Sequence, residues 1–250
     1  MRRHCLTGVL AMAAAAAGLM AQPKPKSNAE ADAVRAMFAA KGQSPDATIK
    51  AAEDLMDKFA DTAYKEVALL LEADAYQEKG DYADAEITDE RLLQAFPKNP
   101  QAAMQLAELI VQHVRDNDLD KEEQLAKAEN RINSALANLD VKPWAGIPDA
   151  TWDENKKYMK AELQNDLGLV AMTRKNYAAA IADFNLAIQG DPQPAYEVRL
   201  ATADMEAGKY DDALTLCDKL LADPQLHPTI KKLTLDVKAR ATKAKGAPAK

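Results

Sequence analysis

The chain has 250 residues, 48% of them apolar and 28% charged, which suits a soluble globular protein of one large domain or two small ones. Its formal charge of −7 argues against nucleic acid as a partner, because phosphate binding needs Lys/Arg patches. Aromatics are only 5% and alanine fills roughly a fifth of the chain; no stretch sustains the alternation of β-branched and polar residues that a half-buried strand needs. An all-α protein of closely packed helices is expected.

The N-terminus carries Arg2, Arg3 and His4, then an apolar stretch from Leu6 to Met20, then Ala21 and the polar Gln22-Pro23-Lys24-Pro25-Lys26. A basic start, a short apolar centre and a small-residue end are the layout of a secretory signal peptide, assigned to residues 1–21 with cleavage near Ala21. The apolar centre is too short and too rich in alanine to span a bilayer, so no membrane span is expected after cleavage. The mature protein is then exported, periplasmic or extracellular, and more acidic by two charges. Cys5 leaves with the leader, so Cys217 stands alone and no internal disulfide can form.

After a linker at 22–28, helical spacing of apolar residues predicts a pair of helices over 29–62, turning at Gly42-Gln43-Ser44-Pro45. A second pair covers 63–97. A third, over 98–140, has Met104, Leu106, Ala107 and Ile110 on its first helix and Ala128, Ile132, Ala135 and Leu136 on its second, with a turn lengthened by Val111–Lys127. A loop at 141–150 follows, flanked by Trp144 and Trp152, which are read as loop anchors. Thr151-Trp152-Asp153-Glu154 reads as a capping box that opens a long helix, starting a pair over 151–192. The last pair covers 194–225. Residues 226–244 form an amphipathic helix with Ile230, Leu233, Val237 and Ala241 on one stripe and Lys231, Lys232, Lys238 and Arg240 off it, and 245–250 form a disordered tail. The basic C-terminus could meet an acidic lipid headgroup or polymer, or could simply be a solvated face.

Three of these pairs share a register. Gly80-Asp81-Tyr82-Ala83-Asp84-Ala85, Lys175-Asn176-Tyr177-Ala178-Ala179-Ala180 and Gly208-Lys209-Tyr210-Asp211-Asp212-Ala213 each place an alanine three residues after a tyrosine. Each is followed by an apolar helical pattern ending near Pro97, Pro192 or Pro224, and preceded by a helix with a small residue in its middle, such as Ala73, Gly168 or Ala201. Tyr177 and Tyr210 are 33 residues apart; Tyr82 and Tyr177 are 95 apart, two periods plus the insertion just described.

This pattern resembles the tetratricopeptide repeat (TPR), a 34-residue unit of two antiparallel helices, and more loosely the exported TPR proteins of bacterial envelopes. The third pair departs from it, lacking the tyrosine and the terminal proline. The resemblance implies a right-handed α-solenoid of helix hairpins closed by a C-terminal capping helix. It also implies a groove lined by the first helix of each pair, where peptide segments or partner helices bind. Carried over residue by residue, the groove positions are Leu70, Asp74, Gln77 and Glu78; Met104, Glu108 and Val111; Asn165, Leu169 and Met172; and Val198, Thr202 and Met205. Early carboxylates favour basic or neutral segments over acidic ones, and the methionines make an adaptable apolar floor. The Lys/Asn pattern with which some chaperone-binding repeats hold a terminal carboxylate is missing.

Catalytic signals are weak. Asp116-Asn117-Asp118-Leu119-Asp120 opens like a calcium loop, but Lys121 stands where glycine belongs and Lys127 where glutamate belongs. His113 and His227 are far apart in sequence, Cys217 falls on an apolar stripe, and no nucleophile, phosphate-loop or dinucleotide motif is present. No metal and no cofactor are expected. The leading expectation is a non-catalytic scaffold or adaptor of the envelope that binds protein segments. Two alternatives are a chaperone or accessory subunit for secretion or outer-membrane assembly, and an enzyme with a site in the 111–152 insertions.

Overall fold

The computed structural model of the chain describes residues 23–143 and 147–246. The predicted leader, Trp144 of the predicted loop and the last four residues of the predicted tail lie outside them. Among the described residues there are eleven helices and no strand. These are α1 (Asn28–Ala40), α2 (Pro45–Lys58), α3 (Lys65–Lys79), α4 (Tyr82–Ala95), α5 (Pro100–His113), α6 (Lys121–Ala137), α7 (Asp149–Thr173), α8 (Tyr177–Gly190), α9 (Pro194–Glu206), α10 (Tyr210–Leu221) and α11 (Pro228–Lys245). The expected all-α class is what the chain adopts. None of these helices is long and apolar enough to cross a membrane.

Local chemistry sets the helix ends. Ser27 accepts a hydrogen bond from the Glu30 amide, and Ser44, followed by Pro45 in the first helical position, accepts one from the Ala47 amide. Both are N-caps that satisfy amides the helix itself leaves unpaired. The turns from α3 to α4 and from α9 to α10 pass through Gly80 at φ 78° and Gly208 at φ 79°, a left-handed conformation that costs glycine little. The matching turn between α7 and α8 uses Lys175 at φ 59°, the one non-glycine residue with positive φ among those described. Helix α7 begins at Asp149, two residues before the expected capping box, because the amide of Trp152 already bonds back to the Pro148 carbonyl at 2.9 Å.

The chain divides into two compact units. The first holds α1 to α5 with the later part of α6 and the opening of α7. Here α1 to α5 pack in chain order, each against the next. Met37, Leu55, Leu69, Leu71, Leu92 and Leu106 are fully enclosed. Polar pairs fasten the hairpins: Thr62 donates to Glu30 at 2.7 Å, and the buried Glu72 pairs with Arg91 at 3.2 Å. Asn99 caps α5 through its oxygen, bonded to the Ala102 amide at 2.8 Å, while its amide nitrogen donates to Glu66 at 2.9 Å. One side chain thus starts a helix and ties it to α3.

The second unit holds residues 114–129 and 157–246. Helices α8 to α11 again pack in order, with α11 also touching α9. Its core runs through Phe184, Leu200 and Ala203 to Val198, Met205, Cys217, Ile230 and Val237. The start of α6 is held by Arg174 at the end of α7, whose guanidinium bonds Glu122 at 2.8 Å and Glu129 at 2.7 Å. In the loop just before it, Asp116 pairs with Lys121 at 2.7 Å and Asp118 accepts from the Arg115 amide at 2.7 Å, so two of the acids in the calcium-like run are engaged within the loop.

Candidate functional site

The expected groove positions fall into three environments. Leu70, Met104, Val198 and Met205 are buried. Met205 and Val198 belong to the core shared by α9, α10 and α11, so in this arrangement they hold helices together. Gln77, Val111, Leu169, Met172 and Thr202 are half-buried; Leu169 and Met172 pack on the Phe184 cluster, and the Thr202 hydroxyl donates to the Val198 carbonyl at 2.8 Å. Glu78 is exposed at the end of α3 and Glu108 half-exposed on α5, where it accepts from Gln112 at 2.7 Å. In the first unit, therefore, Glu78 is the exposed groove position, and Glu108 is half-buried like Gln77 and Val111.

Asp74 and Asn165 are committed to internal bonds. Asp74 accepts from the Gln105 amide, which links α3 to α5. Burial raises its carboxyl to a pKa of about 6, and Glu78 adds to the rise while Lys41 and the Gln105 bond oppose it. Asn165 on α7 is enclosed, accepts from Arg199 on α9, and donates to Asp166 at 3.2 Å.

A group that the sequence reading passed over lies behind Asp74. Asp89 on α4 is 0% exposed, and neither of its carboxyl oxygens has a hydrogen-bond partner. Burial, and then the neighbouring Asp74, push its pKa well above the usual carboxylate range. The Lys41 ammonium and Gln105 Oε1 are likewise buried without a partner. A signal for Asp89 was present in the repeat register. Seven residues after the repeat tyrosine stand Asp89, Phe184 and Cys217, and the second and third are core residues. A charged residue at a core position was the clue.

The remaining sequence candidates are placed plainly. Cys217 is fully enclosed and burial pushes its thiol up. Trp152 is buried, as is Ile147, whose carbonyl receives the Lys142 ammonium at 3.1 Å. His113 packs against Tyr82 in a tilted arrangement with ring centroids 4.4 Å apart, joining the start of α4 to the end of α5.

No family model matches the chain, and no curated protein does. Among solved structures, the chain is similar to a thermophilic TPR protein of Thermus thermophilus, with 21% identity over 86% of this chain and 98% of that one and a TM-score of 0.52. A TPR protein from Parabacteroides merdae aligns at 15% identity over 89% and 94% of the two chains, TM-score 0.48. The RpL4 assembly chaperone Acl4 aligns at 13% identity over 89% and 98%, TM-score 0.44. The first of these likenesses establishes a TPR-type fold.

Proposed function

We propose that this chain is a non-catalytic protein-binding module, exported and acting as a scaffold or adaptor in the bacterial cell envelope. The observation that carries the reading is the TPR-type fold, since stacked helical hairpins present extended surfaces suited to peptide segments and partner helices. The N-terminal leader pattern supports export. Partners are basic or neutral segments. Glu78 and Glu108 are the accessible acids of the first unit's expected groove, and complementary charge speeds encounter and rejects acidic competitors.

The test is crosslinking with mass spectrometry in cells that carry the native chain or the Glu78→Lys/Glu108→Lys variant. Circular dichroism of the variant checks that the fold survives the reversal. Loss of a specific set of captured proteins would support the reading. Retention of every one of them would exclude the acidic groove as the binding surface.

A further inference from the structure

The outer face of α11 is chemically unlike the rest of the protein. The helix holds six basic side chains and one acid, Asp236, in a chain whose formal charge is −7. Its inner stripe, Ile230, Thr234, Val237 and Ala241, is buried, whereas Leu233, expected on that stripe, is 46% exposed because Thr234 is the residue that faces the neighbouring helices. Three of the basic residues are paired: Lys238 with Asp218 at 2.5 Å, Arg240 with Glu206 at 2.5 Å, and Lys245 with Asp211. The other three, Lys231, Lys232 and Lys243, are exposed and meet no acid among the described residues. Leu235 stands among them, four residues after Lys231 and three after Lys232, so the three share one helical face. Lys243 continues that face two turns on, beside the exposed Asp236, its one acid. Leu235 is 50% exposed although it is a large apolar side chain on a helix that buries other residues well.

We infer that this face docks on an anionic phospholipid surface, with Leu235 entering the headgroup boundary and Lys231, Lys232 and Lys243 at the phosphate level. Two features select lipid over a soluble polyanion. A leucine flanked by lysines gains by leaving water only where an apolar layer lies beneath the charges, and lysine stems are long enough to lie along that layer with their ammonium groups in water. The acidity of the remaining chain does not forbid the contact. Its charges are screened beyond about 10 Å at 0.1 M salt, whereas the free lysines sit at the surface itself. The interaction is peripheral and reversible, since one leucine and three lysines fall far short of an anchor.

The test is cosedimentation of the chain from Gln22 onward, the form left after the expected cleavage, with vesicles of phosphatidylglycerol and phosphatidylcholine in equal parts, and with phosphatidylcholine alone. Leaving out residues 1–21 removes the apolar Leu6–Met20 stretch and Arg2-Arg3, which would bind vesicles by themselves. Binding should require the anionic lipid and fall steeply with added salt. Each free lysine contributes about fivefold, so Lys231→Gln/Lys232→Gln/Lys243→Gln should weaken binding about 100-fold. Leu235→Ser should weaken it several-fold. The same change at three paired lysines, Lys79, Lys121 and Lys219, should have a smaller effect. Circular dichroism should show an unchanged fold, because every altered side chain but Lys121 is solvent-exposed. Equal binding to both vesicle types, or an unaffected triple variant, overturns the inference. So does full competition by soluble polyglutamate together with an unaffected Leu235→Ser, which would assign the face to an acidic protein partner.

Discussion

The ring of Phe184 on α8 lies so close to Gly168 on α7 that a methyl group at position 168 would sit 2.5 Å from its Cε1. Phe184 is fully enclosed, so the ring has nowhere to retreat. Gly168 is in mid-helix, where alanine would ordinarily be better by about 1 kcal/mol. The contact reverses the sign: overpacking costs about 1–3 kcal/mol and outweighs the propensity gain. Gly168→Ala should therefore lower the midpoint of urea unfolding. Gly168→Ala combined with Phe184→Leu should cost less than the two single losses added together, a coupling that a double-mutant cycle reads directly. A Gly168→Ala protein more stable than its parent would show that the helices separate freely.

Asp89 occupies the register position of Phe184 and Cys217 and has no hydrogen bond to repay its burial. An unpaired buried carboxyl is a standing cost. Asp89→Cys places there the residue that α10 uses at the same register, at nearly the same volume. Measured under reducing conditions at pH 7, it should stabilise the first unit by about 1–3 kcal/mol. A loss of stability instead would mean that the carboxyl is held by a bond, such as one through an ordered water to the Lys41 ammonium.

Stability should fall, not rise, as pH climbs from about 4 toward neutrality. Asp74 has a folded pKa of about 6, above its unfolded value, so between the two values the folded state keeps a proton that the unfolded state has lost. That difference is worth on the order of 1–3 kcal/mol, present below the unfolded value and gone above the folded one. Desolvation raises Asp89, Glu66, Glu72, Asp183 and Asp204 in the same direction. The groups facing this pair are Lys41 and Glu78 near Asp74, and Glu86 and Glu90 near Asp89, with Glu90 itself paired to Arg131 at 3.0 Å. Opposing them, Asp61, Asp116 and Asp149 are lowered chiefly by their hydrogen bonds to Lys26, Lys121 and Lys142. Their contribution is lost only as pH falls through those lowered values, so it shapes the acid limb alone. Urea midpoints at pH 4.5, 6 and 7.5 should decrease in that order, and Asp74→Asn should flatten the first step. A maximum at pH 7.5 would contradict the shift.

The helical class and the hairpin register were legible because both rest on local chemistry. Alanine-rich stretches with apolar residues at helical spacing have one economical conformation, and the turns at Gly80 and Gly208 announce the left-handed residue between paired helices. The repeat tyrosines and alanines mark the register without any knowledge of neighbours. The binding residues were less legible. Leu70 and Glu78 stand on the same helix at comparable repeat positions, yet one is enclosed and the other open. Sequence spacing states which way a side chain leaves its helix, not how near the next helix comes.

The amino-acid order alone thus determined which segments become helix and which become turn, through propensities and hydrogen bonds that reach only a few residues. The tertiary structure decided which polar groups lose their water. It placed the Asp89 carboxyl beside Asp74 within the first unit, and on α11 it left the Lys231, Lys232 and Lys243 ammonium groups meeting no acid among the described residues. The physical reason is distance, since desolvation and charge coupling depend on separation in space between residues the chain keeps apart.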